Sequence, residues 1–465
     1  MPQSQLSPHK LETRPLWRWP ELCRALDLPE QDGPDITGLC IDSRRIQPGE
    51  LFIALTGDPG PRFHASSRSE RDGHDYVAHA FERGAAGALV HREVAATGPL
   101  LRVDDSLDGL WALARARRQA LDGQVVAVTG SSGKTTVKTL LGAALDGFTT
   151  AGSLNNHLGV PLSLASAPAG AECAVFEVGT NHPGEIETLA RLVSPTVALV
   201  LNVHPAHREF FADLDAIRTE KLSIFKGLRD KDVLVLEQSL GKAGLPDDLP
   251  TLTFGDGEGA DCRLLRSEGD RALYKVDGQR IEAQVPGGGP HRALSVAAVL
   301  CVLKALGRHL SAATELPDSL IPGGRGSERR CGGVVLVDDS YNANPASMRA
   351  ALLYLRNDRG RTVAVLGEML ELGAEGEAYH RGLAEACRHV DRVVAVGEGM
   401  RALYEELAES QRWLWRETAD DALLEELVGG IRAGDRVLVK GSNRVFWARQ
   451  FADRLGSALE AEGGG

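Results

Sequence analysis

Val125-Val126-Ala127-Val128-Thr129-Gly130-Ser131-Ser132-Gly133-Lys134-Thr135-Thr136 decides how this chain is read. Four apolar residues lead into a short loop of small residues, after which Val137, Leu140, Leu141, Ala144 and Leu145 recur at the spacing of one helical face. The pattern predicts strand, tight loop and helix. Such a loop aims backbone N–H groups inward at the positive end of the helix dipole, where a polyphosphate is held. Lys134 would reach the outer phosphates and Thr135 would ligate Mg²⁺. Position 128, where the general phosphate-loop pattern has glycine, is valine. A lysine after a glycine turn is otherwise an ordinary exposed residue. The apolar strand before it and the amphipathic helix after it favour nucleotide phosphate binding.

Working outward, 465 residues exceed what one hydrophobic core supports, which predicts two to four domains. The 52 basic and 64 acidic residues leave a net charge of -12, which disfavours a broad nucleic-acid or membrane surface. The first 22 residues hold charges and two tryptophans but no apolar core of signal-peptide length, and no later run approaches a membrane span, so a cytosolic protein is expected. Cys23, Cys40, Cys173, Cys262, Cys301, Cys331 and Cys387 are scattered singly, which reads as free thiols.

Before residue 105 the chain reads as a small α/β unit. Residues 36–55 alternate and break like strands, Tyr76-Val77-Ala78-His79-Ala80-Phe81 reads as a helix and Ala88-Leu89-Val90 as a strand. Residues 56–73, rich in Gly, Pro, Ser and Arg, read as an exposed loop. Asp42-Ser43-Arg44 is either a bland turn or part of a site. A helix over 107–120 leads into the phosphate-loop strand, and a second unit runs to residue 312.

Within that unit a strand over 174–179 carries Glu177. A carboxylate at the end of a buried strand is costly without a partner. Mg²⁺ or a metal-bound water would supply one, and a strand-end glutamate reaching solvent is the alternative. Thr180-Asn181-His182-Pro183-Gly184-Glu185-Ile186 reads as a turn opening a helix, and a strand over 197–203 ends in His204-Pro205-Ala206-His207. Isolated histidine pairs are commonly surface residues, but loops beyond the carboxyl ends of parallel strands are where such sheets bind ligands. A helix over 217–225 carries Lys221, to which periodicity alone gives no role. Residues 262–285 read as a hairpin appendage, and a helix over 293–306 closes the unit. Beyond it, strands at 334–338, 363–366, 393–396 and 437–439 each lead into a helical pattern, predicting a parallel doubly wound sheet. No Gly-x-Gly-x-x-Gly follows its first strand, so a dinucleotide site is not supported.

Together these stretches resemble the Mur ligase family over nearly the whole chain, and within it the branch that adds D-alanyl-D-alanine. The most specific element is Asp338-Asp339-Ser340-Tyr341-Asn342-Ala343-Asn344-Pro345-Ala346-Ser347-Met348. Supporting it are Thr129-Gly130-Ser131-Ser132-Gly133-Lys134-Thr135-Thr136, Asn155-Asn156, the turn from Asn181 to Ile186, Gly367-Glu368-Met369-Leu370-Glu371-Leu372-Gly373 and Lys440-Gly441-Ser442. Asp42-Ser43-Arg44 and Asp72-Gly73-His74 match the family's first domain.

The resemblance implies an α/β protein of three domains. These are a UDP-substrate domain (1–104), a central P-loop ATPase domain (105–312) and a C-terminal Rossmann-like ligase domain (313–465). It further implies that ATP phosphorylates the terminal carboxylate of a UDP-N-acetylmuramoyl tripeptide and that the amine of D-alanyl-D-alanine attacks the acyl phosphate, a cytoplasmic step of peptidoglycan precursor synthesis. A monomer is expected, without nucleic acid or membrane insertion. By position, Thr135, Glu177, His207 and Lys221 would hold Mg²⁺, Lys221 matching the lysine that the family carbamylates. Lys134, His207, Lys221 and Arg325 would carry the catalysis. Residues 129–136, His291, Arg325, Asp339 and Tyr341 would contact the nucleotide. Ser43, Arg44, Asp72, Gly73 and His74 would hold the UDP end, while Asn155, Asn156, Asn181, His182, Asn342 and Asn344 would contact substrate.

Where the family places His-Asn-x-x-Asn against the adenine, this chain reads His291-Arg292-Ala293-Leu294-Ser295, with both amides missing. A sister Mur ligase or a folylpolyglutamate-type ligase would share the loop, Glu177, His207 and Lys221, and Tyr341-Asn342-Ala343-Asn344-Pro345 argues against both. A P-loop switch would need Asn-Lys-x-Asp, which is absent. A nucleotide-binding module without ligase activity stays open.

Overall fold

A computed structural model describes residues 15–58, 71–205, 210–356 and 360–463, whose strands form three sheets. The first is parallel throughout and runs in chain order, β1 (Gly38–Cys40), β2 (Glu50–Ile53), β3 (Gly87–Val90) and β4 (Leu100–Arg102). The second contains β5 (Gln124–Thr129), β6 (Cys173–Glu177), β7 (Val197–Val200), β8 (Val233–Glu237), β9 (Thr251–Gly255), β10 (Cys262–Glu268), β11 (Arg271–Val276) and β12 (Gln279–Gln284). Its order is β12-β11-β10-β9-β8-β7-β5-β6. The third is built from β13 (Ser327–Cys331), β14 (Val334–Asp339), β15 (Thr362–Gly367), β16 (Arg392–Val396), β17 (Arg412–Arg416) and β18 (Arg436–Lys440), ordered β13-β14-β18-β15-β16-β17. It is parallel except for the edge strand β13.

The order of the second sheet positions the phosphate loop. From β5 the chain crosses to β6 on one side and then to β7 on the other, so the loop after β5 opens into the crevice at a topological switch point. Val126, Val128 and their neighbours are buried on both faces, as a parallel sheet covered by helices demands. One face packs on the helix Ser106–Ala120, which also covers the first sheet, so Leu51, Leu110, Val125 and Phe176 share a single core. That helix starts where Asp105 accepts the Asp108 N–H at 2.9 Å. The other face packs on the helix Pro290–Ala305.

The segment 262–285 is not an appendage. Cys262 pairs with Phe254 and Arg263 with Gly255, so β10 joins β9 in parallel, and β11 and β12 follow it as antiparallel strands that extend the central sheet. Burying Cys262, Tyr274, Val276 and Ala283 in that sheet's core favours continuation over a free hairpin. The helix carrying Lys221 spans Leu214–Leu222 and passes into a 3₁₀ turn at Ser223–Gly227. No helix among the described residues is long and apolar enough to cross a membrane.

Candidate active site

The loop after β5 turns at two glycines. Gly133 has φ +81° and caps the helix Lys134–Ala144, a conformation that residues with a Cβ adopt only under strain. At Gly130 a Cβ would lie 2.9 Å from that of Leu201. Asn202 braces the loop from the end of β7, accepting the Ser132 N–H at 2.9 Å and donating to the Ser132 carbonyl at 3.2 Å. Ser131 is tied to His204, its Oγ donating to the His204 carbonyl and accepting the His204 N–H. Lys134 folds back over the loop, its Nζ donating to the Gly130 carbonyl at 2.8 Å. Burial pushes its amine below the usual lysine value, with Glu177 opposing the shift. A polyphosphate entering the loop would offer this ammonium a stronger acceptor than a neutral carbonyl.

Glu177, only 3% exposed at the end of β6, does not reach solvent. Its Oε2 accepts from Thr135 Oγ1 at 2.7 Å, and its Oε1 accepts from Ser153 Oγ at 2.8 Å and Asn155 Nδ2 at 2.7 Å. Lys138, equally buried, places Nζ 3.9 Å from Oε2 while donating to the carbonyls of Thr150 and Gly152. Burial alone would raise the Glu177 pKa; Lys134, Lys138 and the hydroxyls of Thr135 and Ser153 outweigh it and hold the carboxyl ionised, below its ordinary value. An anionic carboxylate beside a threonine hydroxyl is a hard oxygen donor set that fits Mg²⁺, with phosphate oxygens and water completing the shell. Among the described residues no three His, Cys, Asp or Glu side chains gather as a metal cluster.

These residues face a cleft of about 710 Å³ lined from all three sheets. Ser131, Ser132, Gly133, Lys134 and Thr136 form its floor, with Asn155, Asn156, Glu177 and Asn181 alongside. Thr129, Gly130 and Thr135 lie behind the lining, Thr135 turned toward Glu177. Across from them stand His291, Arg325, Asp339, Tyr341, Asn342 and Asn344. The Arg325 guanidinium lies 4.1 Å from the Tyr341 ring centroid, and Tyr341 packs edge-on against Trp447. Asp339 pairs with Lys440 at 2.7 Å, the two being register partners at the ends of β14 and β18. Asn344 caps the helix Pro345–Tyr354 by accepting the Ser347 N–H, and its Nδ2 donates to Ser132 Oγ at 2.8 Å. His291 is exposed to the cleft, and the protein crowded around it, with the Arg292 and Lys440 cations nearby, moves its ring pKa below the ordinary histidine value.

Lys221 is 3% exposed, and burial beside Lys134 lowers its amine pKa to about 7. Its neighbour Glu220 accepts the N–H groups of Gly184 and Ile186 at 2.7 and 2.8 Å, pinning the lysine's helix to the turn that carries Asn181 and His182. His182 lies against Glu185 and Phe210, outside the cleft lining. His207 lies outside the described residues, as does the stretch 59–70 of the loop assigned to 56–73.

Ser43, Arg44, Asp72, Gly73 and His74 do not line the cleft. Arg44 pairs with Asp42, and His74 bridges Asp72 to the backbone N–H of His91. What the first sheet gives the cleft is residues 55–58, His91, Asp105 and Leu107. Sequence reasoning missed these, together with Asn202 and Lys138, and had Lys440 only within a supporting motif, with no role assigned. Asn202 had a signal, a polar residue ending a buried strand. Lys138 sits in a helical pattern like any solvated lysine.

Residues 128–303 match the Mur ligase middle domain, and residues 324–443 match the Mur ligase, glutamate ligase domain. A UDP-N-acetylmuramoyl-tripeptide–D-alanyl-D-alanine ligase of Escherichia coli is 34% identical over 80% of this chain and 84% of its own length. The MurF structure from Acinetobacter baumannii superposes with a TM-score of 0.78 at 29% identity, covering 94% of this chain and 98% of that one. The MurF ligase of Thermotoga maritima in complex with ADP gives 0.75 at 29% identity over 92% and 98%. Two matched domains spanning most of the sequence, and relatives similar along four fifths of it, show that this chain belongs to the Mur ligase family.

Proposed function

We propose that this chain is an ATP-dependent amide ligase that joins D-alanyl-D-alanine to a UDP-N-acetylmuramoyl tripeptide through an acyl phosphate. The observation that carries the reading is the cleft itself. Lys134 and Glu177 from the central sheet face Arg325, Asp339, Tyr341 and Asn344 from the third, and a relative named for this reaction matches the chain over 84% of its own length.

A terminal carboxylate oxygen of the tripeptide attacks the γ-phosphorus of ATP, the bond to the β–γ bridging oxygen breaks, and ADP leaves. The dipeptide amine then attacks the acyl carbon, phosphate departs and an amide remains. A carboxylate approaching a polyphosphate is anion meeting anion, so the charges must be offset by fixed cations. Lys134 leaves the Gly130 carbonyl for the outer phosphates, and Arg325 meets the γ-phosphate from the opposite wall. Thr135 and Glu177 would hold Mg²⁺, with His207 and a carbamylated Lys221 assigned to a second ion; bound there, the ions would screen the phosphates. A buried amine with a pKa near 7 supports carbamylation, because only the neutral amine reacts with CO₂. The three sheets are read as units 1–104, 105–312 and 313–465 that close over the substrates. Ser43, Arg44 and Asp72-Gly73-His74 would hold the UDP end after such closure.

The test is phosphate release from ATP. Release that needs both the UDP-muramoyl tripeptide and D-alanyl-D-alanine, with an acyl phosphate trapped by hydroxylamine, supports the ligase. Release without either substrate points to a switch ATPase, and binding without release to a nucleotide module. Solution scattering that shows no compaction with ATP analogue and tripeptide bound would count against closure.

A further inference from the structure

Arg292 stands in the first turn of the helix Pro290–Ala305, where a cation faces the positive end of the helix dipole. Its guanidinium is nevertheless held by three backbone carbonyls. Nη1 donates to Gly287, and Nη2 donates to Arg325 at 3.2 Å and Gly326 at 2.9 Å. The slot is walled by glycines. Gly287 and Gly326 have φ of +69° and +81°, and a Cβ on either would overlap the guanidinium. One side chain thus joins the turn after β12, the helix and the linker that leads into β13.

The linker carries Arg325 at the cleft. Its backbone turns through Arg325 N–H to Pro322, Gly326 N–H to the Asp338 carbonyl, and Gly324 N–H to Asp338 Oδ2. In front, the Arg325 guanidinium rests on Tyr341, whose own N–H donates to the Gly324 carbonyl at 2.8 Å. Behind, the Arg325 and Gly326 carbonyls are anchored only by Arg292 among the described residues.

We propose that Arg292 is a positioning residue: its guanidinium clamps the linker backbone at Arg325 and Gly326 to the helix Pro290–Ala305, and so sets where the Arg325 guanidinium stands in the cleft. A lysine cannot do this, since one ammonium does not reproduce a planar fork spanning three fixed carbonyls. The reading rests on the proposed phosphoryl transfer, but the clamp itself can be tested without it.

The experiment uses full-length Arg292→Lys and Arg292→Met proteins. Hydrogen exchange at the amides of 324–326 should quicken by about tenfold or more as charge-assisted bonds are lost, while residues 134–144 keep their protection. In the assay with all three substrates, kcat should fall about 10- to 100-fold with the KM for ATP within about threefold, and Arg292→Lys should not rescue it. Should Arg292→Met fail to fold, Arg292→Lys carries both measurements. Unchanged exchange at 324–326 in folded Arg292→Lys overturns the clamp. So does a raised KM for ATP with kcat intact and altered preference between ATP and GTP, which would put Arg292 on the base. If the wild type shows no substrate-dependent release, the proposed function fails, and the exchange result alone decides the clamp.

Discussion

Replacing Lys138 by methionine keeps the length of the side chain and removes the cation from beneath the phosphate loop. Side-chain exposures of 2% for Lys138 and 1% for Glu177 mean that water screens neither group. At 3.9 Å and an effective dielectric of about 20, their attraction is about 4 kcal/mol. Removing one partner of a buried pair costs about 3–5 kcal/mol, and Glu177 keeps its bonds from Thr135, Ser153 and Asn155, which favours the lower end. Lys138→Met should therefore lose about 3 kcal/mol in urea unfolding of the full chain, followed by fluorescence of Trp17, Trp19 and Trp111 in the adjoining core. The pH dependence has a definite sign. Glu177 is held below its ordinary value, so its stabilisation is present above that value and disappears as pH falls through its lowered one. The deficit of Lys138→Met should be full at neutral pH and shrink in acid. In a double-mutant cycle with Glu177→Gln the two losses should fail to add by about 2 kcal/mol. A loss below about 1 kcal/mol at pH 7, or additivity in the cycle, would refute the argument that these groups are energetically coupled.

Lys221→Ala should abolish ligase activity, with partial recovery on adding short carboxylates. In the wild type, activity should decline as pH falls below about 7, where the amine protonates, and raised CO₂ should offset the decline. A fully active alanine variant would remove Lys221 from the site. Gly133→Ala meets only Leu201 Cδ1, at an ordinary contact distance of 3.7 Å, but must hold φ +81°, so it should cost about 1–2 kcal/mol in unfolding without a packing clash. Leu110→Ala, in the core shared by the first two sheets, should cost about 2–5 kcal/mol by the same measurement. Of the seven free thiols, Cys40 alone is incompletely buried, so native protein should react with Ellman's reagent at no more than one site, and unfolded protein at seven.

Much of the central unit was legible because its signals are local. The apolar run of β5, the two glycines and the helical spacing after Lys134 all fall within about twenty residues, and backbone sterics together with the helix dipole fix what such a run does. The repeated strand-and-helix pattern beyond residue 312 was readable for the same reason. Segment 262–285 was misjudged because alternation reveals a strand but not its neighbour; Cys262 finds Phe254 only when the sheet is assembled. Lys138 and Arg292 look like exposed residues of helices. Lys138 is buried under the loop 150–152, and Arg292 is half-buried against the linker 325–326.

By itself the sequence determined that a phosphate loop stands between a buried strand and a helix, that α/β units flank it, and that Glu177 and Lys221 are candidate groups. Only the tertiary structure decided their electrostatic state and their partners. It put a second lysine under Glu177, moved Ser43, Arg44 and His74 away from the cleft lining in favour of His91 and Asp105, and closed Arg292 around a glycine-walled slot. The physical reason is range. Backbone conformation is set by neighbours a few residues away, whereas desolvation and ion pairing depend on which distant segments the sheets bring within a few ångströms.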